Sequence, residues 1–182
     1  MWHETAQTHL DAGLPSIVFD LFYVTATRYD NGQEESIGAW TGAEPISLTV
    51  DGEARTYLGV GASLQVPTIQ TEEGLDVQGQ SVVINGLSDL TDALRLEYNV
   101  DQARADIHQL LMNAGLVVLG TRRLFSGTID GASLQQQRGS GQMSLEVVSR
   151  SRRGTRTHVA MRDESRDPFF KYAAQIEGDK WG

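Results

Sequence analysis

The sequence predicts a mainly β fold: an antiparallel β-sandwich or small barrel with one principal short helix and an extended C-terminal arm. Three observations carry that expectation. Short runs alternate apolar and polar residues with the two-residue period of a strand. Asn31-Gly32 and Asp51-Gly52 stand between such runs, where left-handed turn residues close hairpins. The 19 glycines and 4 prolines of the 182 residues are scattered as single turn signals, with no low-complexity tract or Pro-rich linker. A hydrophobic share of 40% over this length supports one core without disulfide or metal. The expected organisation is a β-rich body over residues 1–149, with residues 150–182 as an arm or short helix packing on the same or a neighbouring subunit.

The elements follow in order. A short amphipathic start ends at Gly13-Leu14-Pro15. Ser16 to Thr27 alternates two apolar sets, Ile17/Phe19/Leu21/Tyr23 and Val18/Phe22/Val24, and reads as a strand buried on both faces. Asp30-Asn31-Gly32 turns it into Ser36 to Trp40. Ile46/Leu48/Val50, Asp51-Gly52 and Ala54 to Leu58 make a second hairpin. Ser63 to Gln70, with Pro67 marking an edge or bulge, and Gln80 to Asn85 are further strands. Ser88 as N-cap and Leu87/Leu90/Leu94 on one face define a helix over Asp89 to Tyr98. The next segment is ambiguous, because Asp101 can cap a helix carrying Ile107, Leu110, Leu111 and Ala114, while Ala103/Ala105/Ile107 fits a strand; local signals lean to the helix. Leu116 to Leu119, Arg123 to Ile129 and Gln142 to Ser149 are strand-like, joined by loops at Asp130-Gly131 and Arg138-Gly139-Ser140-Gly141.

Composition narrows function. The absence of cysteine excludes a disulfide scaffold, an iron–sulfur cluster, a thiolate zinc site and a Cys nucleophile. The charge-free, apolar-leaning run Ile107 to Thr121 is shorter than the ~20 residues of a membrane span, and the N-terminus shows no signal-peptide pattern, so synthesis in the cytoplasm and no membrane contact are expected. The net charge of -9 conceals a split: residues 1–120 hold 17 acidic and 4 basic side chains, residues 121–182 hold 7 and 11. The cations of residues 121–156 are all arginines: Arg122, Arg123, Arg138, Arg150, Arg152, Arg153 and Arg156. Arg makes the bidentate, weakly hydrated contacts that interfaces favour, so an acidic face and an Arg-rich face suit neighbouring copies or partners; an acidic total argues against a duplex-binding domain.

Chemistry-bearing patterns are sparse. The histidines His3, His9, His108 and His158 lack metal-ligand spacing. Gly59-Val60-Gly61 is half a dinucleotide fingerprint without its helix, and no phosphate loop, nucleophile elbow or zincin helix occurs. Glu34/Glu35 and Glu72/Glu73 are adjacent pairs that point opposite ways in extended chain. No catalytic, metal or cofactor-binding residue is assigned, no cofactor is expected, and the reading is non-enzymatic; a hydrolase without a visible motif is the third-ranked alternative. The second is a carbohydrate-binding β-sandwich with Trp40, Tyr57 and Tyr98 as a sugar-stacking platform.

The spacing of Tyr57 to Val66, Glu73-Gly74-Leu75-Asp76-Val77, Val82 to Leu87 and Arg122 to Asp130 resembles the N-terminal domain of hub-type proteins from the tail tip, or baseplate, of long-tailed bacteriophages and phage-like gene transfer agents. Ser149-Arg150-Ser151-Arg152-Arg153, Asp167-Pro168-Phe169-Phe170-Lys171-Tyr172 and the terminal Trp181-Gly182 resemble the ending of small tail proteins of that group. The resemblance spans roughly residues 10 to 182. It implies a structural, non-enzymatic virion protein in a homo-oligomeric ring of three or six copies. The genome passes nearby without specific recognition, and the partners are other tail proteins: tail tube, distal tail, hub and tape measure. It also places strands on both sides of Asn113-Ala114-Gly115, which sets the ambiguous segment as a strand at about Ala103 to Met112. Larger hubs continue into a cysteine-containing region that this chain lacks, which leaves hub, distal tail ring and adaptor open. The implied subunit interface comprises Arg122, Arg123, Arg138, Arg150, Arg152, Arg153 and Arg156 with the rings of Phe169, Phe170, Tyr172 and Trp181. Docking of each large ring stabilises by roughly 1.5 to 3 kcal/mol. Deleting Asp167 to Gly182 is therefore expected to leave a folded monomer, judged by circular dichroism, with impaired assembly in sedimentation.

Overall fold

The computed structural model describes residues 2–66, 79–86, 89–137 and 140–149. They lie within a unit of residues 1–149 and are mainly β. Helix α1 (Glu4–Asp11) precedes β1 (Ser16–Arg28), β2 (Glu34–Trp40), β3 (Ile46–Val50) and β4 (Glu53–Gly59). A 3-10 turn at Gly61–Ser63 leads to β5 (Leu64–Gln65), then β6 (Gly79–Asn85), α2 (Asp89–Leu96), β7 (Tyr98–Asn113), β8 (Val118–Gln137) and β9 (Ser140–Val148).

The strands form one sheet in the order β3-β4-β2-β1-β7-β8-β9-β6-β5. It cannot be flat. Side chains from β2, β1, β7, β8, β9, β6 and β5, including Ala39, Phe22, Ile107, Phe125, Leu145, Ile84 and Leu64, meet in one buried cluster. Seven strands laid flat would spread over about 29 Å at ~4.8 Å per step. Residues 60–63, which join β4 near one end of the order to β5 at the other, reach at most about 14 Å. The sheet therefore rolls on itself, and Leu90 and Leu94 of α2 pack into the interior. This is the barrel form of the expected fold.

A second layer lies outside the roll. The β3–β4 hairpin carries Val50 and Tyr57 against Leu21, Trp40, Leu110 and Met112, with Phe19 and Tyr23 packed alongside. β1 thus buries both faces: Phe22, Val24 and Ala26 look into the roll, and Phe19, Leu21 and Tyr23 look at the hairpin. The two apolar sets read from the sequence are these faces. The burial does not extend to the start of the strand, where Ile17 and Val18 are 39% and 50% exposed and no element among the described residues covers them.

The Asp51-Gly52 turn is as expected, with φ of 52° and 84° and Val50 paired to Glu53. Several other expectations need correction. α1 is as long as α2, eight residues each, so the fold has two short helices among the described residues. α2 stops at Leu96, because Tyr98 pairs with Arg28 and opens β7. β5 begins at Leu64; Pro67 to Gln70 lie outside the described residues, as does Ser88. The ambiguous segment is a strand, longer than expected, held by β1 on one edge and β8 on the other, and this double pairing overrides its local helix signals. Asp130-Gly131 is no loop. It lies inside β8, where pairing steps from Ile129↔Val147 to Gly131↔Glu146 across a bulge at Asp130. The two runs expected at Leu116 to Leu119 and Arg123 to Ile129 are one strand, which starts at Val118 after a turn with Leu116 at φ 60°. Ser140 and Gly141 already belong to β9, while Arg138 and Gly139 lie outside the described residues. The sheet also holds one parallel contact, β2 with β4 at Ala39↔Leu58 and Trp40↔Gly59.

The hairpin sits closely on β2. A Cβ at Gly38 would collide with the Thr56 carbonyl and come within 2.8 Å of the Tyr57 ring. Gly38→Ala is expected to push the two layers apart at a cost of about 1 to 3 kcal/mol, read as a lowered urea midpoint with unchanged far-UV dichroism.

Candidate functional site

Between the hairpin and the sheet lies a polar cluster in an otherwise apolar layer. β7 supplies Asp106 and His108, which share the hairpin-facing side with Leu110 and Met112 by the two-residue period. β4 supplies Arg55 and Tyr57, β8 supplies Ser126, and the hairpin turn supplies Asp51. Arg55, Asp106 and His108 are all buried.

Asp106 is the hub of the cluster. Ser126 Oγ donates to its Oδ1 at 2.6 Å, and Arg55 Nη1 approaches its Oδ2 at 3.4 Å, with the Arg104 guanidinium at 3.9 Å. Arg55 also donates to Glu53 at 3.1 Å and lies 4.6 Å over the Tyr23 ring. A second link ties the turn down: His108 Nε2 bonds Asp51 Oδ2 at 3.0 Å, and Arg123 stands 3.8 Å from the same oxygen. Burial holds the His108 imidazole below its ordinary pKa against the opposing pull of Asp51 and Asp106, so the ring is neutral and its Nε2–H donates. Burial alone would raise Asp51; the His108 hydrogen bond and the nearby Arg123 and Arg55 bring it below the ordinary carboxylate value. The Tyr57 phenol is pushed up to about 12 by burial and stays protonated. Arg55 Nε, Tyr57 Oη and His108 Nδ1 have no hydrogen-bond partner among the described residues. Ser126 bonds the Asp106 carboxylate and not His108, and the links Arg55–Asp106 and His108–Asp51 join the hairpin to the sheet as a latch between two layers.

The interface residues expected from the sequence separate. Arg122 and Arg123, adjacent in β8, take opposite faces. Arg122 is engaged inside its own subunit: Nε and Nη2 donate to Gln109 Oε1 at 3.0 and 2.6 Å, and its guanidinium lies 4.6 Å over Trp2 ahead of α1. Gln109 passes the link on to Asp20 at 3.3 Å, a carboxyl that burial raises and this hydrogen bond lowers. Arg122 is thus a strap across β8, β7 and β1 within its own subunit. Arg123 is 51% exposed and keeps its outward reach. Arg138, Arg150, Arg152, Arg153, Arg156, Phe169, Phe170, Tyr172 and Trp181 lie outside the described residues. Trp40, Tyr57 and Tyr98 are buried, so they form no exposed stacking platform.

The latch was not singled out in the sequence, although one signal exists: Asp106 and His108 continue, two apart, the face that carries Leu110 and Met112. No protein-family model and no curated protein sequence matches the chain.

Two outcomes follow from this geometry. Asp106→Ala leaves buried Arg55 with Glu53 as its remaining hydrogen-bonded carboxylate and Ser126 without its acceptor, and is expected to cost about 1 to 3 kcal/mol in urea unfolding. The depressed His108 means that the unfolded chain binds a proton first, so stability is fully present above the unfolded value of about 6.5 and falls as pH drops below it toward the folded value. The lowered Asp51 adds a loss of the same sign below about pH 4. In His108→Gln the slope of unfolding free energy between pH 6.5 and 5 is expected to flatten, and the loss below pH 4, which leans on the His108 hydrogen bond to Asp51, to shrink.

Proposed function

We propose that this protein is a structural, non-catalytic component of a bacteriophage tail tip or baseplate, part of a ring of three or six copies around the DNA channel. The observation that carries the reading is the behaviour of residues 98–113. The resemblance in spacing implies a strand where local sequence signals lean to a helix, and the chain forms β7 there. The rolled sheet suits the role, since its close inward packing supports a rigid ring segment. The charge split supports it too: an acidic lumen repels DNA phosphates and lets the genome slide, while arginines pair with neighbouring subunits. Its partners are the other tail proteins, and its place is the virion tail after synthesis in the host cytoplasm. The burial of Trp40, Tyr57 and Tyr98 takes away the basis of the carbohydrate-binding alternative.

At a partly desolvated interface each charge-assisted arginine pair contributes on the order of 1.5 to 3 kcal/mol. The double variant Arg152→Glu, Arg153→Glu is expected to fold normally and fail to enter tails in a complementation assay, with reversal of acidic partners restoring incorporation. Normal incorporation of the variant, together with steeply salt-dependent DNA binding by the wild type, would overturn the interface assignment.

A further inference from the structure

The chain holds two Asn-Gly pairs, Asn31-Gly32 and Asn85-Gly86. In such a pair the side-chain carbonyl lies within reach of a backbone nitrogen that the following residue does not shield, since glycine has no side chain. Both glycines have left-handed backbone, with φ of 69° and 95°, so backbone type does not distinguish the two pairs. Their surroundings do. Asn31 and Gly32 are exposed in the loop between β1 and β2, and their hydrogen bonds close within residues 28–33. Gly32 N–H donates to the Arg28 carbonyl at 3.0 Å, and Gln33 N–H donates to Asn31 Oδ1 at 2.8 Å. The second bond folds the Asn31 side chain back over the Gly32 peptide and polarises its carbonyl. Asn85, by contrast, is a half-buried residue of β6 opposite Gln142 of β9, and Gly86 N–H donates across the strands to the Gly141 carbonyl at 2.7 Å. Freeing the Gly32 nitrogen takes the opening of one exposed turn, whereas freeing that of Gly86 takes the peeling of the end of β6 from β9, which costs more.

We infer that Asn31 is a site of spontaneous deamidation in the folded protein, and that the sheet protects Asn85 from the same reaction. The Gly32 nitrogen gives up its proton to solvent and attacks Asn31 Cγ. A C–N bond forms, the Cγ–Nδ2 bond breaks, and the side-chain nitrogen leaves as ammonia with a proton taken from water. Water then opens the five-membered succinimide at one of its two carbonyls, leaving an aspartyl or an isoaspartyl residue at position 31. Either product puts a new carboxylate next to Asp30, which already holds Arg28 at 3.0 Å together with Glu97 at 3.4 Å and Glu35 at 3.5 Å. The isoaspartyl form also adds a methylene to the main chain of the loop, which the Arg28 N–H closes on the Gln33 carbonyl at 2.9 Å.

The test incubates the full chain, folded, in warm neutral buffer and follows it by peptide mapping with mass spectrometry, where electron-transfer fragmentation tells aspartyl from isoaspartyl products. Conversion at position 31 is expected to run about tenfold or more faster than at position 85. In a parallel sample unfolded in guanidinium chloride the two positions are expected to convert at similar rates, because glycine follows each asparagine. Comparable rates in the folded sample, faster conversion at position 85, or no conversion at position 31 would overturn the proposal. The same preference for position 31 in the unfolded sample would trace it to neighbouring residues and overturn the protection assigned to the sheet.

Discussion

The pair Arg55–Asp106 is the constraint on which the two-layer arrangement depends. A guanidinium and a carboxylate are buried together between hairpin and sheet, where Glu53 and the Tyr23 ring also hold Arg55 and Ser126 also holds Asp106. A slip of β4 by one residue would turn Arg55 to solvent and abandon Asp106 in a dry layer, so the pair makes the wrong register costly. With that register set, Tyr57 lands beside Tyr23, the Thr56 carbonyl comes down on Gly38, and Trp40 closes the layer against Phe19. The hairpin turn is then held by its own residue Asp51 through His108. Turn geometry, ion pair and apolar packing are one unit.

The same economy governs β1 and β7. Each serves two compartments through strict alternation, so the roll and the hairpin layer share their central strands instead of stacking separate sheets. Tyr98 shows how the roll's rim is tied: its side chain is in the core, its hydroxyl donates to Glu35 at 2.8 Å, and Arg28 lies 5.6 Å over its ring. Outward charge and inward packing meet at one residue.

Much of the fold was legible in the sequence because its strands carry period-two patterns and its tight turns carry Asp-Gly and Asn-Gly. The unreadable parts have particular causes. The segment Ala103 to Met112 alternates only as far as His108; Leu110, Leu111 and Met112 are apolar on both faces, and a strand buried twice loses the alternation that distinguishes it from a helix. Asp130-Gly131 has turn composition, yet a bulge uses the same residues to keep a long strand in register. The latch was hidden by distance: Arg55 and Asp106 are 51 positions apart, and nothing local marks them as partners. Arg122 and Arg123 looked alike in sequence, and only pairing with β7 separates an internal strap from an outward-facing charge.

That separation has a cause of its own. Ile107 pairs with Phe125 but His108 pairs with Arg123, so Leu124 is an extra residue in β8, packed with Phe125 against the main core. The irregularity delivers Arg122 to Gln109 on one face and Arg123 to Asp51 on the other. The shift sets which layer each arginine meets. Were the pairing regular with Leu124 kept, Leu124 would stand opposite His108 and Arg123 opposite Gln109, carrying Arg122 away from Gln109 and Arg123 off the turn; removal of Leu124 itself would leave Arg123 on His108 and Arg122 on Gln109 in an unbroken ladder. The bulge acts as an address, assigning each side of β8 to a layer without altering any residue around it.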